Sequence, residues 1–259
     1  MILESIGVFF LAALSYWLRK LSLSGALCAI LVGVSIAYGT GLPGLLLLAG
    51  FFISSVVWSM LLKSKKENDI DLKDGARDGS QVLANGGVAA ILAVLSGVTG
   101  EKLFFLGFVV ALAAATSDTW ASELGRLSRG KPIDVIRFQR VKTGTSGAVS
   151  LLGTIAALMG SFFIVGLAYV IEGATYSLSL FLGMVLAGFI GNLVDTYVGA
   201  TVQVKYRCQD CQTVTEKIEH CGNVTIKDRG YRIFNNESVN LLCTVVAPLF
   251  FFALYGIFR

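Results

Sequence analysis

The chain has 259 residues, of which 55% are hydrophobic and 15% are charged, and its formal net charge at pH 7 is +4. A soluble domain usually has about 25% charged residues, and a soluble protein of this length could not bury so much apolar surface. The composition excludes a soluble enzyme, a disordered chain and a nucleic-acid-binding module. It predicts an all-α, polytopic transmembrane helix bundle, with residues 1–259 forming a single integral membrane domain in the lipid bilayer.

Eight apolar segments are long enough to cross a bilayer, since a crossing needs about 20 mostly apolar residues. They cover residues 2–18, 22–41, 43–62, 80–98, 102–118, 146–171, 178–200 and 238–258. The second and third are joined only by Gly41, Leu42 and Pro43, which predicts a tight antiparallel hairpin.

The basic residues indicate the orientation of the chain. All Lys and Arg residues except Lys102 and Arg259 lie in the first, third, fifth and seventh loops between these segments. The third loop holds Lys63, Lys65, Lys66, Lys73 and Arg77. Basic loops stay in the cytoplasm, so we expect the N-terminus outside and the active site facing the cytoplasm.

Polar residues open the fourth segment at Arg77, Asp78, Gln81 and Asn85. On a helix, Arg77, Gln81 and Asn85 fall on one stripe. An ordinary helix start with an acid at its positive end is one interpretation. However, Gln81 and Asn85 reach into the bilayer, where polar side chains need partners, and this favours a functional role.

Carboxylates mark the ends of the fifth and seventh segments. Asp118 and Glu123, with Ser122 between them, end the fifth. On a straight helix these two acids point about 140° apart, so they could share a metal only if the helix ends between them or a partner helix completes the site. Asp195 lies inside an apolar run and shares a stripe with Gln203.

Two short elements look alike and suggest a weak parallel internal repeat. They are Asp118-Thr119-Trp120 and Asp195-Thr196-Tyr197, and each is followed by a basic loop and a segment with a polar start. We expect both elements to line one cytoplasmic cleft with those polar starts. The polar start of the eighth segment includes Asn236, Glu237 and Asn240.

Small residues precede the sixth segment, beside Lys142. They are Gly144, Thr145, Ser146 and Gly147. Free backbone N–H groups at a helix N-terminus bind phosphate, although a plain Ser/Thr cap is the alternative. The chain has no P-loop pattern.

The seventh loop holds Cys208, Cys211, His220 and Cys221. Three thiols and one imidazole can complete a tetrahedral zinc site, although adjacent His and Cys ligands are uncommon and one of the pair could bind alone. We therefore expect the 204–236 loop to be a small insert with a possible structural Zn²⁺.

Together these groups suit phosphate chemistry. Carboxylates hold Mg²⁺, while Lys, Arg and backbone N–H groups neutralise phosphates. The sequence thus predicts a Mg²⁺-dependent reaction between a phosphorylated, lipid-soluble substrate and a cytosolic nucleotide. A lipid or ion transporter and a CTP-dependent cytidylyltransferase of a lipid phosphate are the alternatives.

Six strings also resemble an integral membrane family that includes plant and cyanobacterial phytyl-phosphate kinase. They are Arg77–Gly87, Asp118–Gly125, Gly144–Ser150, Asp195–Gln203, Cys208–Cys221 and Asn236–Asn240. The stretch from Asp118 to Thr145 is more remotely similar to CTP-dependent dolichol and phytol kinases. The resemblance implies phosphoryl transfer from a nucleoside triphosphate, with CTP favoured, to an isoprenyl monophosphate, giving the diphosphate.

The resemblance also implies roles for the polar residues. Asp118, Glu123 and Asp195 would hold Mg²⁺. Lys142 and the Gly144–Gly147 helix start would hold the nucleotide phosphates. Arg77, Arg137 or Arg140 would bind the acceptor phosphate.

Overall fold

The computed structural model describes residues 2–62 and 76–258. Within these ranges seven helices form a bundle. They are α1 (Ile2–Trp17), α2 (Leu23–Leu61), α3 (Gly79–Thr99), α4 (Lys102–Gly125), α5 (Leu151–Ile171), α6 (Leu178–Thr201) and α7 (Asn236–Phe258). Lys63, Lys65, Lys66, Lys73 and Arg259 lie outside the described residues.

The helical membrane architecture is confirmed, but among the described residues the eight expected segments are not eight separate long helices. Among the described residues, six helices, α2 to α7, are long and apolar enough to cross a membrane. Helix α1 has only 16 residues, fewer than the roughly 20 that a crossing needs. The second and third expected segments are merged in α2, which has 39 residues.

Helix α2 turns back on itself at Gly41. There φ is 63° and ψ is −151°, a conformation essentially restricted to glycine. A straight helix of this length would extend about 58 Å, yet both ends of α2 meet Arg77. The Ser22 N–H donates to the Arg77 carbonyl at 3.0 Å, and the Arg77 guanidinium donates to Ser55 Oγ.

Polar side chains cap the helices that begin near Arg77. The Asp78 carboxylate accepts from the Gln81 N–H at 3.0 Å, and Gln81 Oε1 accepts from the Asp78 N–H at 3.2 Å. This is a capping box. Asp78 is therefore the N-cap of α3. This agrees with the interpretation of its position as an ordinary helix start with an acid at the positive end.

Helix α4 is the central helix of the bundle. It contacts α2, α3, α5, α6 and α7, and residues 106–117 are all buried. Small residues let the neighbours approach closely. A side chain at Gly160 of α5 would meet the Thr116 carbonyl at 2.9 Å, and one at Gly188 of α6 would meet Ala113 at 2.8 Å.

Two small β structures connect the later helices. Between α4 and α5, β1 (Ile133–Asp134) pairs with β2 (Ala148–Val149). Between α6 and α7, an antiparallel sheet in the order β4-β3-β7 lies beside a β5–β6 hairpin. We call residues 205–229 the β lobe. Its strands are β3 (Lys205–Arg207), β4 (Val214–Thr215), β5 (Glu219–His220), β6 (Asn223–Val224) and β7 (Ile226–Arg229).

Asp134 closes the turn after β1. Its carboxylate accepts hydrogen bonds from the N–H groups of Ile136 and Arg137, both at 2.9 Å. Burial raises the pKa of Asp134, but the two hydrogen bonds and the positive charges of Arg137 and Arg229 together lower it. The ionised carboxylate therefore holds the chain that leads to residues 143–147.

Helix α5 begins later than the sequence predicts. Ser150 is its N-cap and accepts from the Gly153 N–H at 3.1 Å. The stretch from Gly144 to Gly147 precedes β2 and lies in a turn, with positive φ at both glycines. The expectation of a helix N-terminus at 144–147 is therefore wrong, because the β1–β2 pairing separates that turn from α5.

Candidate functional site

A cleft of about 2340 Å³ opens at one end of the bundle. The ends of α4 and α6, the starts of α3 and α7, the residues before α5 and part of the β lobe surround it. Most of the sequence-predicted site residues line it: Arg77, Gln81, Asn85, Asp118, Ser122, Glu123, Gly144, Thr145, Ser146, Gly147, Asp195, Asn236, Glu237 and Asn240.

Asp118 and Asp195 form the acidic centre of the cleft. Asn192 Nδ2 donates to Asp118 Oδ1 at 3.2 Å. Asn240, with its amide oriented to suit its neighbours, donates to Asp195 Oδ2 and to the Asn236 carbonyl, each at 3.1 Å. The two carboxylates are close enough for their charges to interact. Three helices thus place two acids and two amides together.

Glu123 is not part of this acidic centre. Helix α4 continues to Gly125 without a break, so the turn that would bring Glu123 and Asp118 together is missing. Instead, Glu123 interacts electrostatically with Arg77. Among the described residues, the one group of three or more clustered metal-ligating side chains is in the β lobe. The side chains of Asp118, Glu123 and Asp195 are therefore not gathered as closely as the ligands of one ion, and their joint binding of Mg²⁺ stays a prediction.

The turn at residues 143–147 is fixed against α6. A side chain at Gly147 would lie 2.3 Å from the Ala200 backbone, so only glycine fits this contact. Ser146 Oγ donates to Gln203 Oε1, and Lys205 Nζ donates to the Ser146 carbonyl at 2.7 Å. Gln203 thus does not line the cleft, but its hydrogen bond holds Ser146, which does.

Three predicted basic residues lie outside the cleft lining: Lys142, Arg137 and Arg140. The Lys142 carbonyl accepts from Thr145 Oγ1 at 2.7 Å, which places this residue at the base of the turn. The position of these side chains gives no support for direct phosphate contacts.

Several lining residues were not predicted as site residues: Lys20, Arg126, Asn192, Lys217 and Arg232. Asn192 precedes Asp195 by three residues, so the helical stripe could have revealed it. Lys20 reaches the cleft because its carbonyl accepts from the Arg77 N–H at 2.9 Å, a contact with no local signal in the sequence.

Arg126 has an open hydrogen-bonding position. Its Nη1 atom is buried and has no hydrogen-bond partner among the described residues. A buried guanidinium nitrogen without a partner is costly. Arg126 also lines the cleft, so a turn of its guanidinium toward a phosphate oxygen would satisfy this nitrogen. This observation fits an anion in the cleft.

The predicted zinc ligands lie close together at the edge of the β lobe. One ligand atom each from Cys208, Cys211, His220 and Cys221 lies within 4.8 Å of the others. His220 Nδ1 is 3.5 Å from Cys211 Sγ and 3.2 Å from Cys221 Sγ. Cys208 is buried, while Cys211 and Cys221 are exposed.

Comparison with known proteins gives a family match over most of the chain. Residues 6–248 match the family described as integral membrane protein DUF92. An uncharacterized membrane protein of Methanocaldococcus jannaschii is 33% identical over 232 residues, which cover 89% of this chain and 84% of the relative.

Two relatives come from Arabidopsis thaliana. Protein PGR is 33% identical over 255 residues, covering 88% of this chain and 86% of PGR. The chloroplastic protein VTE6 is 31% identical over 201 residues, covering 71% of this chain and 57% of VTE6. No solved structure matches the chain.

Proposed function

Because the chain belongs to the integral membrane family DUF92, we propose that it is a membrane kinase of prenyl phosphates. It transfers a phosphoryl group from a nucleoside triphosphate, with CTP favoured, to an isoprenyl monophosphate of the phytyl or geranylgeranyl type. The product is the corresponding diphosphate. The resemblance of the six sequence strings to the phytyl-phosphate kinase family supports this choice of reaction.

The observation that carries the proposal is the distribution of charge in the cleft. Asp118 and Asp195 lie together, and Arg126 has a buried guanidinium nitrogen without a partner among the described residues. Carboxylate oxygens are the ligands that Mg²⁺ prefers, so this pair would hold Mg²⁺ and Arg126 would bind phosphate. Mg²⁺ supplies charge neutralisation on the nucleotide phosphates.

The cleft also has an apolar side that suits a lipid tail. Trp17 and Met60 line it and are 76% and 59% exposed. They lie at the ends of α1 and α2, whose outward faces carry many exposed large apolar side chains. A prenyl chain could lie along this surface while its phosphate reaches the polar centre.

The proposed reaction needs positioning more than proton transfer. An oxygen of the acceptor phosphate attacks the γ-phosphorus, the bond between that phosphorus and the β–γ bridging oxygen breaks, and the nucleoside diphosphate leaves. The acceptor is already anionic near pH 7, so no strong base is required. Binding geometry and neutralisation of negative charge therefore supply most of the rate enhancement.

A direct assay tests the proposal. Protein purified in lipid nanodiscs receives phytyl or geranylgeranyl monophosphate, Mg²⁺ and γ-labelled CTP or ATP. We expect label in prenyl diphosphate and a loss of at least about 100-fold for Asp118→Asn, because that variant removes one of the paired charges. Glu101→Gln is the matched control, since Glu101 is the N-cap of the same helix and lies outside the cleft lining.

Other outcomes identify the competing functions. Lipid labelled from α-labelled but not from γ-labelled CTP would indicate a cytidylyltransferase. Unchanged substrate that crosses sealed vesicles would indicate a transporter. Full activity in Asp118→Asn would show that the pair Asp118 and Asp195 does not hold a Mg²⁺ that the reaction needs.

A further inference from the structure

Four metal-binding side chains converge at one point of the β lobe. A tetrahedral zinc site with thiolate and imidazole ligands has ligand atoms about 3.6 Å apart, as follows from its bond lengths. The distances from His220 Nδ1 to Cys211 Sγ and Cys221 Sγ are 3.5 and 3.2 Å. The spacing therefore already approaches that of a bound site.

The backbone of the β lobe is shaped around these side chains. The Cys208 N–H donates to the Thr213 carbonyl at 2.9 Å, and the Gln212 N–H donates to the Cys208 carbonyl at 3.1 Å. Gln212 and Cys221 both have positive φ, at 57° and 53°. Such conformations cost energy for residues other than glycine, and the ligand positions lie within these turns.

The β lobe lacks an apolar core that could hold this shape. Its strands have two to four residues, and apart from the partly buried Tyr206 the large apolar side chains of the strands and their connections are exposed. They are Val214, Ile218, Val224 and Ile226. Segments this small usually need a metal or a disulfide to stay folded. A disulfide would use two thiols and leave one thiol and His220 without a role, whereas one metal ion uses all four groups.

We propose that Cys208, Cys211, His220 and Cys221 bind one structural Zn²⁺ that holds the β lobe in place as a wall of the cleft. Residues 216–219 line the cleft and lie between the two pairs of ligands along the chain. The ion thus fixes the segment that carries Lys217. This inference does not depend on the kinase reaction.

Metal analysis of the purified membrane protein tests the site directly. We expect about one zinc per chain by mass spectrometry, and loss of most of it in Cys208→Ser and Cys211→Ser. Cys28→Ser is the matched control and should keep its zinc, because Cys28 lies in α2, outside the cluster. Absence of metal from folded, fully reduced wild-type protein, or zinc unchanged in the two ligand variants, would overturn the proposal.

A second measurement covers ligand variants that fail to fold. Wild-type protein exchanged with Co²⁺ should show the visible bands of a tetrahedral site and a sulfur-to-cobalt charge-transfer band. A spectrum typical of six oxygen ligands would contradict the assignment.

Limited proteolysis tests the structural role without measuring activity. After zinc chelation, trypsin should cut within residues 205–232, and added Zn²⁺ should restore protection of that segment. Equal cleavage with and without zinc would show that the ion does not hold the β lobe. Because none of these measurements uses prenyl phosphate, their outcome is separate from that of the kinase assay.

Discussion

At the residue scale, each carboxylate of the acidic centre has an amide partner on a different helix. Asn192 of α6 donates to Asp118 of α4, and Asn240 of α7 donates to Asp195 of α6. Polar contacts of this kind both orient the carboxylates and join the helices. The centre is therefore set by three helices rather than by one motif.

We predict that Asn192→Ala lowers kinase activity by at least about 10-fold and stability by about 1 kcal/mol, because Asp118 loses its hydrogen-bond donor. Turnover and the thermal midpoint of the purified protein measure the two effects. Asn223→Ala is the matched control, since Asn223 donates to Asp210 at 2.9 Å on the exposed surface. Equal effects of the two substitutions would contradict a special role for Asn192.

The sequence was sufficient to predict that Asp118 and Asp195 line one cleft, because a carboxylate inside an apolar run is conspicuous. It was not sufficient to show that Glu123 lies apart from these two carboxylates. Glu123 is only five residues from Asp118, but the continuous helix directs it toward Arg77. That separation depends on where α4 ends, which composition alone does not fix.

At the scale of single elements, α2 is notable for the break at Gly41. The turn brings Ser22 and Ser55 to the same arginine, so the start of α3 is connected to both ends of α2. The short linker between two apolar segments predicted the hairpin. The start of α5 was harder to place, because Gly144–Gly147 has the composition of a helix start and only the pairing of β1 with β2 displaces it.

We predict that Gly41→Ala destabilises the protein by about 1–3 kcal/mol, because alanine is strained at this backbone conformation. Thermal unfolding in detergent, followed by circular dichroism, measures the change. Gly87→Ala is the control: it lies in α3 with open space around an added methyl group, so it should be neutral or slightly stabilising. A Gly41→Ala protein as stable as the wild type would show that the turn tolerates side chains.

At the scale of the whole molecule, the cleft occupies one end of the bundle. Between it and the opposite end lies the densely packed α4 segment from Leu106 to Ser117, which is completely buried. Polar side chains at one end of the bundle and a tightly packed centre fit the proposed kinase, which would work from one side of the membrane. The basic loops predict that this side is the cytoplasm.

We predict that a membrane-impermeant thiol reagent added to intact cells labels Thr175→Cys but not Gly130→Cys. Both positions are exposed, and they lie on either side of α5, in the connections to α6 and α4. Permeabilised cells should show labelling of both above that of the wild type, whose exposed Cys211 and Cys221 also react. Labelling of Gly130→Cys from outside intact cells would reverse the orientation and place the cleft outside.

The central position of α4 has a consequence for biogenesis. Asp118 is synthesised 74 residues before Asn192, so the ribosome delivers this acid to the membrane well ahead of its partner. Until α5, α6 and α7 follow, α4 lacks most of the neighbours that later enclose it. The final closing of the bundle is therefore expected only after translation of the last helix, and nascent chains truncated before α6 should be targets for membrane quality control.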